Sequence, residues 1–133
     1  MRLYIAGPMT NLEDLNYPAF RNSEALLQAA GYVVNNPASI DERHEATQRR
    51  SGTRCLTCAG GTHSWSWYMR QAIKMMLDCD GVATLQGWRD SRGARIEVEL
   101  AQTLEMPVYD RDAWAKNGEE ARHQYKVLGG VFL

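Results

Sequence analysis

The residues that could do chemistry lie closest together in residues 90–97. Here a polar turn and a Ser- and Gly-containing loop lead into a helical pattern that carries Glu97 about one turn from its start. A helix start presents free backbone N–H groups and the positive end of a dipole, which suit an anion such as a phosphate. A glutamate beside that site could act as a nucleophile or a base. In the alternative, structural interpretation, Ser91 caps the helix and Glu97 is a solvated carboxylate of its first turn.

A second group of reactive side chains lies upstream. Cys55 and Cys58 form a Cys-x-x-Cys pair, which His63 follows and His44 precedes. Two thiolates and two imidazoles are ligands that suit tetrahedral zinc, and a structural zinc would order a polar segment. The alternative is a loop with two free thiols. No helix is predicted to start at Cys55, which disfavours a redox dithiol.

Alternating strands and helices must position these residues. Gly and Pro separate short apolar runs from helical repeats, and a strand–helix–strand order is typical of parallel sheets. We predict strands at residues 2–6, 32–34, 81–85 and 107–109, and helices at residues 18–30, 65–77 and 93–104. The pattern predicts an α/β, three-layer fold with a small parallel sheet of four to five strands, Rossmann- or flavodoxin-like.

The helical periodicity also groups the apolar side chains. The predicted apolar face of the helix at residues 18–30 consists of Phe20, Ala25, Leu26 and Ala29. In the helix at residues 93–104, one stripe consists of Ile96, Leu100 and Leu104. Residues 38–63 are polar and are interpreted as a loop insertion within a single domain that spans residues 1–133. The tail after residue 110 is amphipathic around Trp114 and then apolar, which is typical of a segment that packs on its own core or on a partner.

Composition limits the classes of function. The chain has 133 residues, 44% hydrophobic and 23% charged, which fits one globular domain. The net charge of -1 gives no strong nucleic-acid signal. No apolar run is long enough for a membrane span or a signal peptide, so we expect a cytoplasmic protein that does not bind membranes. Three cysteines are an odd number, which argues against a disulfide framework, and Cys79 is expected to be a small core residue.

The loops after the first and third strands are predicted to meet at one edge of the sheet. In parallel sheets, ligands bind outside the carboxyl ends of the strands. With these loops on one edge, several stretches resemble a known family: residues 4–10, 16–20, 31–37, 67–70, 79–82 and 87–101. They are similar to the nucleoside 2-deoxyribosyltransferase-like superfamily. Within it, the chain resembles an uncharacterised, often phage- or prophage-encoded branch, the DUF4406 type.

The resemblance implies a nucleophile. The superfamily cleaves or exchanges the N-glycosidic bond of nucleosides or their 5′-monophosphates, using the glutamate of a Gly-x-x-x-Glu stretch. Gly93 and Glu97 fit that spacing, so Glu97 inherits the role, whereas Glu99 is expected to be a surface charge. Relatives often carry an aspartate on the preceding helix, where this chain has Ala72. This departure supports an alternative function, a catalytically inactive nucleotide-binding or sensor module.

The resemblance also implies substrate contacts. Tyr4 and Gly7 would line a sugar pocket, although Tyr4 could simply be a core aromatic. The residues that would hold a 5′-phosphate are Ser91, Arg92 and Gly93, with Arg95 beside them.

Three further residues have two interpretations each. Asp90 could bind a sugar hydroxyl or cap the helix, and Trp88 could stack on a base or be buried or subunit-facing. Arg95 could instead pair with Glu99.

We therefore expect N-glycosidic bond cleavage or transfer on a nucleoside or nucleoside 5′-monophosphate. No cofactor is required for this chemistry. A homodimer or larger homo-oligomer is expected, in a bacterial or phage-infected cell. A second alternative is a structural interaction protein that uses the insertion and the apolar tail.

Overall fold

A four-stranded sheet organises the part of the chain that the computed structural model describes, residues 1–9, 12–40 and 64–118. Its strands are β1 (Arg2–Ala6), β2 (Val33–Asn35), β3 (Gly81–Thr84) and β4 (Val108–Asp110). The helices are α1 (Tyr17–Ala29), α2 (Trp65–Leu77), α3 (Arg92–Thr103) and α4 (Arg111–Lys116). Short 3-10 turns span Glu13–Asn16 and Trp88–Asp90. The predicted α/β fold is confirmed.

The strand order is β2-β1-β3-β4, and all neighbouring strands are parallel. From β1 the chain therefore moves outward in one direction to β2 and in the other to β3 and β4. The order reverses between β1 and β3, which is the switch point where doubly wound sheets bind ligands. Both of these strands end together, because Ala6 pairs with Thr84.

Side chains of β1 alternate between two cores on opposite faces of the sheet. On one face, the α1–α4 core contains Leu3, Ile5, Phe20, Leu27, Tyr32, Ala38, Ala83, Leu85 and Trp114. On the other, the α2–α3 core contains Tyr4, Ala6, Ala72, Met76, Cys79, Val82, Val98 and Ala101. The burial of Cys79 confirms the expected small core residue.

The buried face of α1 differs from the predicted one. Phe20 is buried as expected, but its buried partners on the helix are Ser23 and Leu27. The Ser23 hydroxyl donates to the carbonyl of Ala19 at 2.7 Å and accepts from Nη1 of Arg111 at 2.9 Å. These bonds satisfy a serine inside the core, where an unpaired hydroxyl would be costly. The other residues of the predicted face are partly or fully exposed: Ala25, Leu26 and Ala29.

Helix α3 carries two apolar stripes. The stripe that faces the sheet contains Ala94, Glu97, Val98 and Ala101, all buried. In the stripe that indicated the helix in the sequence, Ile96 and Leu104 are 37% and 49% exposed, whereas Leu100 is partly buried against the α2–α3 core. The other buried side chains of the sheet-facing stripe are small, so the helix lies close to the strands. The space that they leave unfilled is taken by one larger polar side chain, Glu97.

The first residues of the predicted insertion pack on the core. Ala38 is buried in the α1–α4 core. The N–H groups of Ser39 and Ile40 donate to the carbonyls of Asn36 and Pro37 at 3.0 and 3.1 Å. Residues 38–40 therefore belong to the folded domain, and the rest of the predicted insertion, residues 41–63, lies outside the described residues.

Trp114 anchors α4 to the sheet. Its side chain is 1% exposed, and its Nε1–H donates to the carbonyl of Val82 at 2.8 Å. The Tyr32 hydroxyl donates to the Trp114 carbonyl at 3.0 Å. A Cβ at Gly81 would lie 2.9 Å from the indole, so the strand passes the ring without a side chain. The first part of the predicted tail is thus core, and residues 119–133 lie outside the described residues.

Candidate active site

The loops after β1 and β3 meet at the carboxyl edge of the sheet. The N–H of Leu85 donates to the carbonyl of Ala6 at 2.9 Å. Gly7 follows directly, and a Cβ there would come within 2.9 Å of the Leu85 side chain. Only glycine allows the two loops to approach this closely at the switch point.

Glu97 is the buried acid of this region. It lies in the second turn of α3, is 5% exposed, and its Oε2 accepts a hydrogen bond from the hydroxyl of Tyr4. Tyr4 stands in the middle of β1 and is itself fully enclosed. The interpretation of Glu97 as a solvated first-turn carboxylate is therefore wrong. Tyr4 is a core aromatic, as one interpretation held, and it is also the partner of the acid.

Burial sets the ionisation of both groups. It raises the pKa of Glu97 from 4.5 to about 7, and the hydrogen bond from Tyr4 acts in the opposite direction. Burial, and then the neighbouring charge of Glu97, raise the pKa of Tyr4 well above its ordinary value. Tyr4 therefore remains a protonated donor at neutral pH, while Glu97 is divided between its carboxyl and carboxylate forms.

Tyr4 packs in an apolar cluster. The α2–α3 core places Ala72 and Met76 of α2, and Val98 of α3, in one cluster with Tyr4. Cys79 belongs to the same cluster, but its thiol donates to the carbonyl of Met75 at 3.3 Å. Burial raises the pKa of that thiol to about 12, so it stays neutral. Carboxylate chemistry at Glu97 would take place in a medium of low polarity, where electrostatic interactions are strong.

The start of α3 is capped by Ser91. Its Oγ accepts from the N–H of Ala94 at 3.3 Å, and its carbonyl accepts from the N–H of Arg95 at 3.0 Å. The capping interpretation of Ser91 is confirmed, and the one for Asp90 is wrong, since Asp90 is exposed in the preceding 3-10 turn. The N–H groups of Arg92 and of the next residue have no acceptor within a helix, so they remain available to an anion.

Two arginines near this helix start lie over tryptophan rings. The guanidinium of Arg92 is 4.5 Å from the centre of the Trp65 ring, and that of Arg89 is 4.7 Å from the Trp88 ring. Trp88 also packs, half-buried, against the α2–α3 core. Arg89 covers part of the Trp88 ring, which in one of its two interpretations would stack on a base.

Arg95 and Glu99 are both exposed on the outer side of α3. Within the described ranges, Arg95 and Glu99 do not form an ion pair with each other, whereas Arg111 pairs with Asp112 at 3.4 Å. Glu99 is thus a surface charge, as expected. Gly93 lies against α2, because a Cβ there would be 3.1 Å from the sulfur of Met69.

The sequence did not reveal the partnership of Tyr4 and Glu97, although both residues were candidates. They stand 93 residues apart in the sequence, and the packing of α3 against β1 brings them together. Trp65 and Arg89 were not predicted at all. For Trp65, the sequence offered one signal, which was a large aromatic residue directly after Ser64, the cap of α2.

Four residues are predicted to bind zinc. His44, Cys55, Cys58 and His63 all lie outside the described residues. Within residues 1–9, 12–40 and 64–118, no three His, Cys, Asp or Glu side chains gather closely enough to hold a metal ion. In those same ranges, no helix has both the length and the apolar character needed to cross a bilayer.

Comparison with known proteins gives a family but no activity. No curated protein matches the chain. A family model described as a domain of unknown function, DUF4406, matches residues 1–110. That range covers all four strands, both loops of the carboxyl edge and the buried Tyr4–Glu97 pair. The chain therefore belongs to the DUF4406 family.

Proposed function

We propose that the protein cleaves or transfers the N-glycosidic bond of a nucleoside or nucleoside 5′-monophosphate, with Glu97 as the nucleophile. The observation that carries this proposal is the burial of Glu97 beside the β1–β3 switch point, hydrogen-bonded to Tyr4. A carboxylate buried in a core destabilises the fold, so a functional role is the simplest reason for its presence. The proposal also includes membership of the nucleoside 2-deoxyribosyltransferase-like superfamily, which the motifs of the sequence favour.

Breaking the C1′–N bond builds positive charge on the sugar. A carboxylate beneath C1′ can stabilise that charge or form a glycosyl ester, which water or a second base then resolves. Tyr4 holds Oε2 of Glu97, so Oε1 is the oxygen left to attack. The low polarity around the pair strengthens the interaction between the carboxylate and the developing cation.

The helix start is the proposed phosphate site. The first N–H groups of α3 and the Ser91 hydroxyl are at this helix start, and Arg92, whose guanidinium lies over Trp65, is the first residue of the helix. The resemblance adds contacts to the sugar from Gly7 and Asp90, and to the base from Trp88. Stacking on Trp65 restricts the motion of Arg92, which lowers the entropy lost when it binds an anion.

The test is release of free base from a panel of deoxy- and ribonucleosides and their 5′-monophosphates. Glu97→Gln keeps the shape of the side chain and should lower the rate by roughly 1,000-fold or more, as expected for a lost nucleophile. Glu99→Gln is the matched control, because Glu99 is an exposed carboxylate on the same helix. Equal rates for wild type and Glu97→Gln would refute the nucleophile, and no release from any substrate would refute the activity.

A second candidate is a nucleotide-binding or sensor module without turnover. Ala72 favours it, because α2 presents a methyl group to the α2–α3 core where relatives often carry an aspartate. The two functions separate in one experiment. A rise in melting temperature with a nucleotide, without free base, indicates the binding module.

We further propose a homo-oligomer that works in the cytoplasm of a bacterial or phage-infected cell. The exposed stripe of α3, with Ile96 and Leu104, is an apolar surface that a second copy could cover. Light scattering of wild type and an Ile96→Glu/Leu104→Glu variant tests the assembly. A wild-type monomer would contradict it.

A further inference from the structure

We propose that the site takes an N-glycoside whose base already carries a formal positive charge, such as a pyridinium riboside or an N7-alkylated purine nucleoside. This inference rests on the proposed function and names the substrate class of the same site. The observation behind it is the environment of Glu97, which is 5% exposed and hydrogen-bonded to the neutral hydroxyl of Tyr4, itself a member of the apolar α2–α3 core.

Charge complementarity is the first step of the argument. A buried carboxylate is costly unless a cation pairs with it. Tyr4 gives Glu97 a hydrogen bond but no charge. The two arginines of α3, Arg92 and Arg95, are exposed, and Arg92 lies over Trp65. A cationic base close to Glu97 would supply the positive charge that its described surroundings do not contribute.

The leaving group is the second step. As an oxygen of Glu97 bonds to C1′, the C1′–N bond breaks and its electron pair returns to the ring nitrogen. A base that started as a cation leaves as a neutral molecule and needs no proton. Water then hydrolyses the glycosyl ester, giving the free sugar and regenerating the carboxylate, with one proton released to solvent. A neutral purine or pyrimidine, by contrast, leaves readily only when a donor protonates it.

The side chains beside the pair fit the first kind of leaving group. Helix α2 contributes Ala72 and Met76 to the core around Tyr4, and neither has a proton to give. The thiol of Cys79 is already bonded to the carbonyl of Met75. The hydroxyl of Tyr4 is committed to Glu97. A cationic base makes this arrangement sufficient for bond cleavage without a further acid.

Two matched pairs of substrates test the inference, each as nucleoside and as 5′-monophosphate. They are 7-methylguanosine against guanosine, and nicotinamide riboside against its reduced, neutral dihydro form. Each rate of base release is divided by the uncatalysed rate, because cationic glycosides are intrinsically more labile. We expect the acceleration of the cationic member to exceed that of the neutral member by about 100-fold. This is the typical contribution of general-acid catalysis, which the neutral base needs and the cationic base does not.

A binding measurement makes the test independent of turnover. The probes are 1-methylnicotinamide, a cation, and nicotinamide, its neutral counterpart, titrated by calorimetry. Wild type should bind the cation about 10-fold more tightly, and Glu97→Gln should lose that preference. Glu99→Gln should keep it. Far-ultraviolet circular dichroism confirms that each variant is folded.

The outcomes are distinct. Equal or greater acceleration for guanosine and the dihydro riboside overturns the charge inference but leaves the glycosidase proposal standing. Equal binding of the two probes to wild type also overturns it. No base from any of the compounds, from folded protein, overturns both the inference and the proposed function.

Discussion

Both faces of the sheet carry a buried core, but the polar side chains of the two cores have different hydrogen-bond partners. In the α1–α4 core, the Trp114 indole, the Tyr32 hydroxyl and the Ser23 hydroxyl all donate to backbone carbonyls. In the α2–α3 core, the Tyr4 hydroxyl donates to Glu97, a titratable acid. The described residues give the second oxygen of that acid no donor. The polar side chains of the α1–α4 core therefore have hydrogen-bond partners within the protein, and we call this the complete face. The α2–α3 core, the incomplete face, keeps one carboxylate oxygen of Glu97 that can accept a bond from a ligand.

Trp114→Ala tests the complete face and should have the largest effect on stability. It removes a fully buried ring and leaves the Val82 carbonyl without one of its donors, so unfolding should become easier by about 3–5 kcal/mol. Urea denaturation measures the change, and Leu77→Ala, at a position that is 52% exposed, should stay within about 0.5 kcal/mol. A loss for Trp114→Ala below about 1 kcal/mol would mean that α4 is not part of the core.

The pH dependence of stability tests the incomplete face. Glu97 has a folded-state pKa of about 7, above the 4.5 that is its ordinary value. The folded state therefore binds the proton more tightly, and the stability gained by protonating Glu97 is lost as the pH rises from 4.5 through 7. The loss should be roughly 3 kcal/mol.

Urea midpoints between pH 4.5 and 8 measure this loss. Glu97→Gln should remove it from the wild-type curve, and Glu99→Gln should retain it. A Glu97→Gln curve parallel to that of the wild type would show that Glu97 does not titrate in this range.

Tyr4→Phe separates the two partners of the acid. The hydrogen bond from Tyr4 lowers the pKa of Glu97, so its removal should move the rising limb of the rate–pH profile to higher pH. Near neutral pH fewer molecules then carry the carboxylate, and base release should fall by roughly 10-fold or more, as for the loss of a hydrogen bond to a charged group. A rate–pH profile that falls through pH 7 in wild type would instead assign Glu97 the role of an acid.

Ser91→Ala has the smallest expected effect and the most specific one. Ser91 and Ser64 cap α3 and α2 in the same way, each accepting one backbone N–H through Oγ. Either alanine substitution should destabilise the protein by about 1 kcal/mol. Only Ser91→Ala should raise KM for 5′-monophosphates relative to nucleosides. Equal effects of both variants on KM would remove Ser91 from the phosphate site.

Much of the fold was predictable because strand and helix periods differ and because Gly and Pro mark the turns. It was harder to predict from the sequence which face of each helix is buried. Ser23 is buried because Arg111, distant in the sequence, supplies its hydrogen bond. In α3, two stripes are apolar, and the smaller side chains face the sheet. Apolar character alone favoured the larger ones, such as Leu104, because a one-dimensional pattern carries no information on the available space.

The candidate site was predicted in parts. Glu97 and the helix start follow from local spacing, and Ser91 as a cap follows from residue type and position. The depth of Glu97 does not, because burial depends on how closely α3 approaches β1. The zinc proposal at Cys55 and Cys58 stays a prediction, because those residues lie outside the described ranges.

The contact of Gly81 with Trp114 has a consequence for relatives of this chain. The indole fills the space that a side chain on β3 would otherwise take, so the two positions should vary together in evolution. A relative with alanine in place of Gly81 should carry a smaller side chain in place of Trp114. The match to the family model ends at residue 110, so a domain boundary drawn there would cut away the ring for which that glycine leaves room.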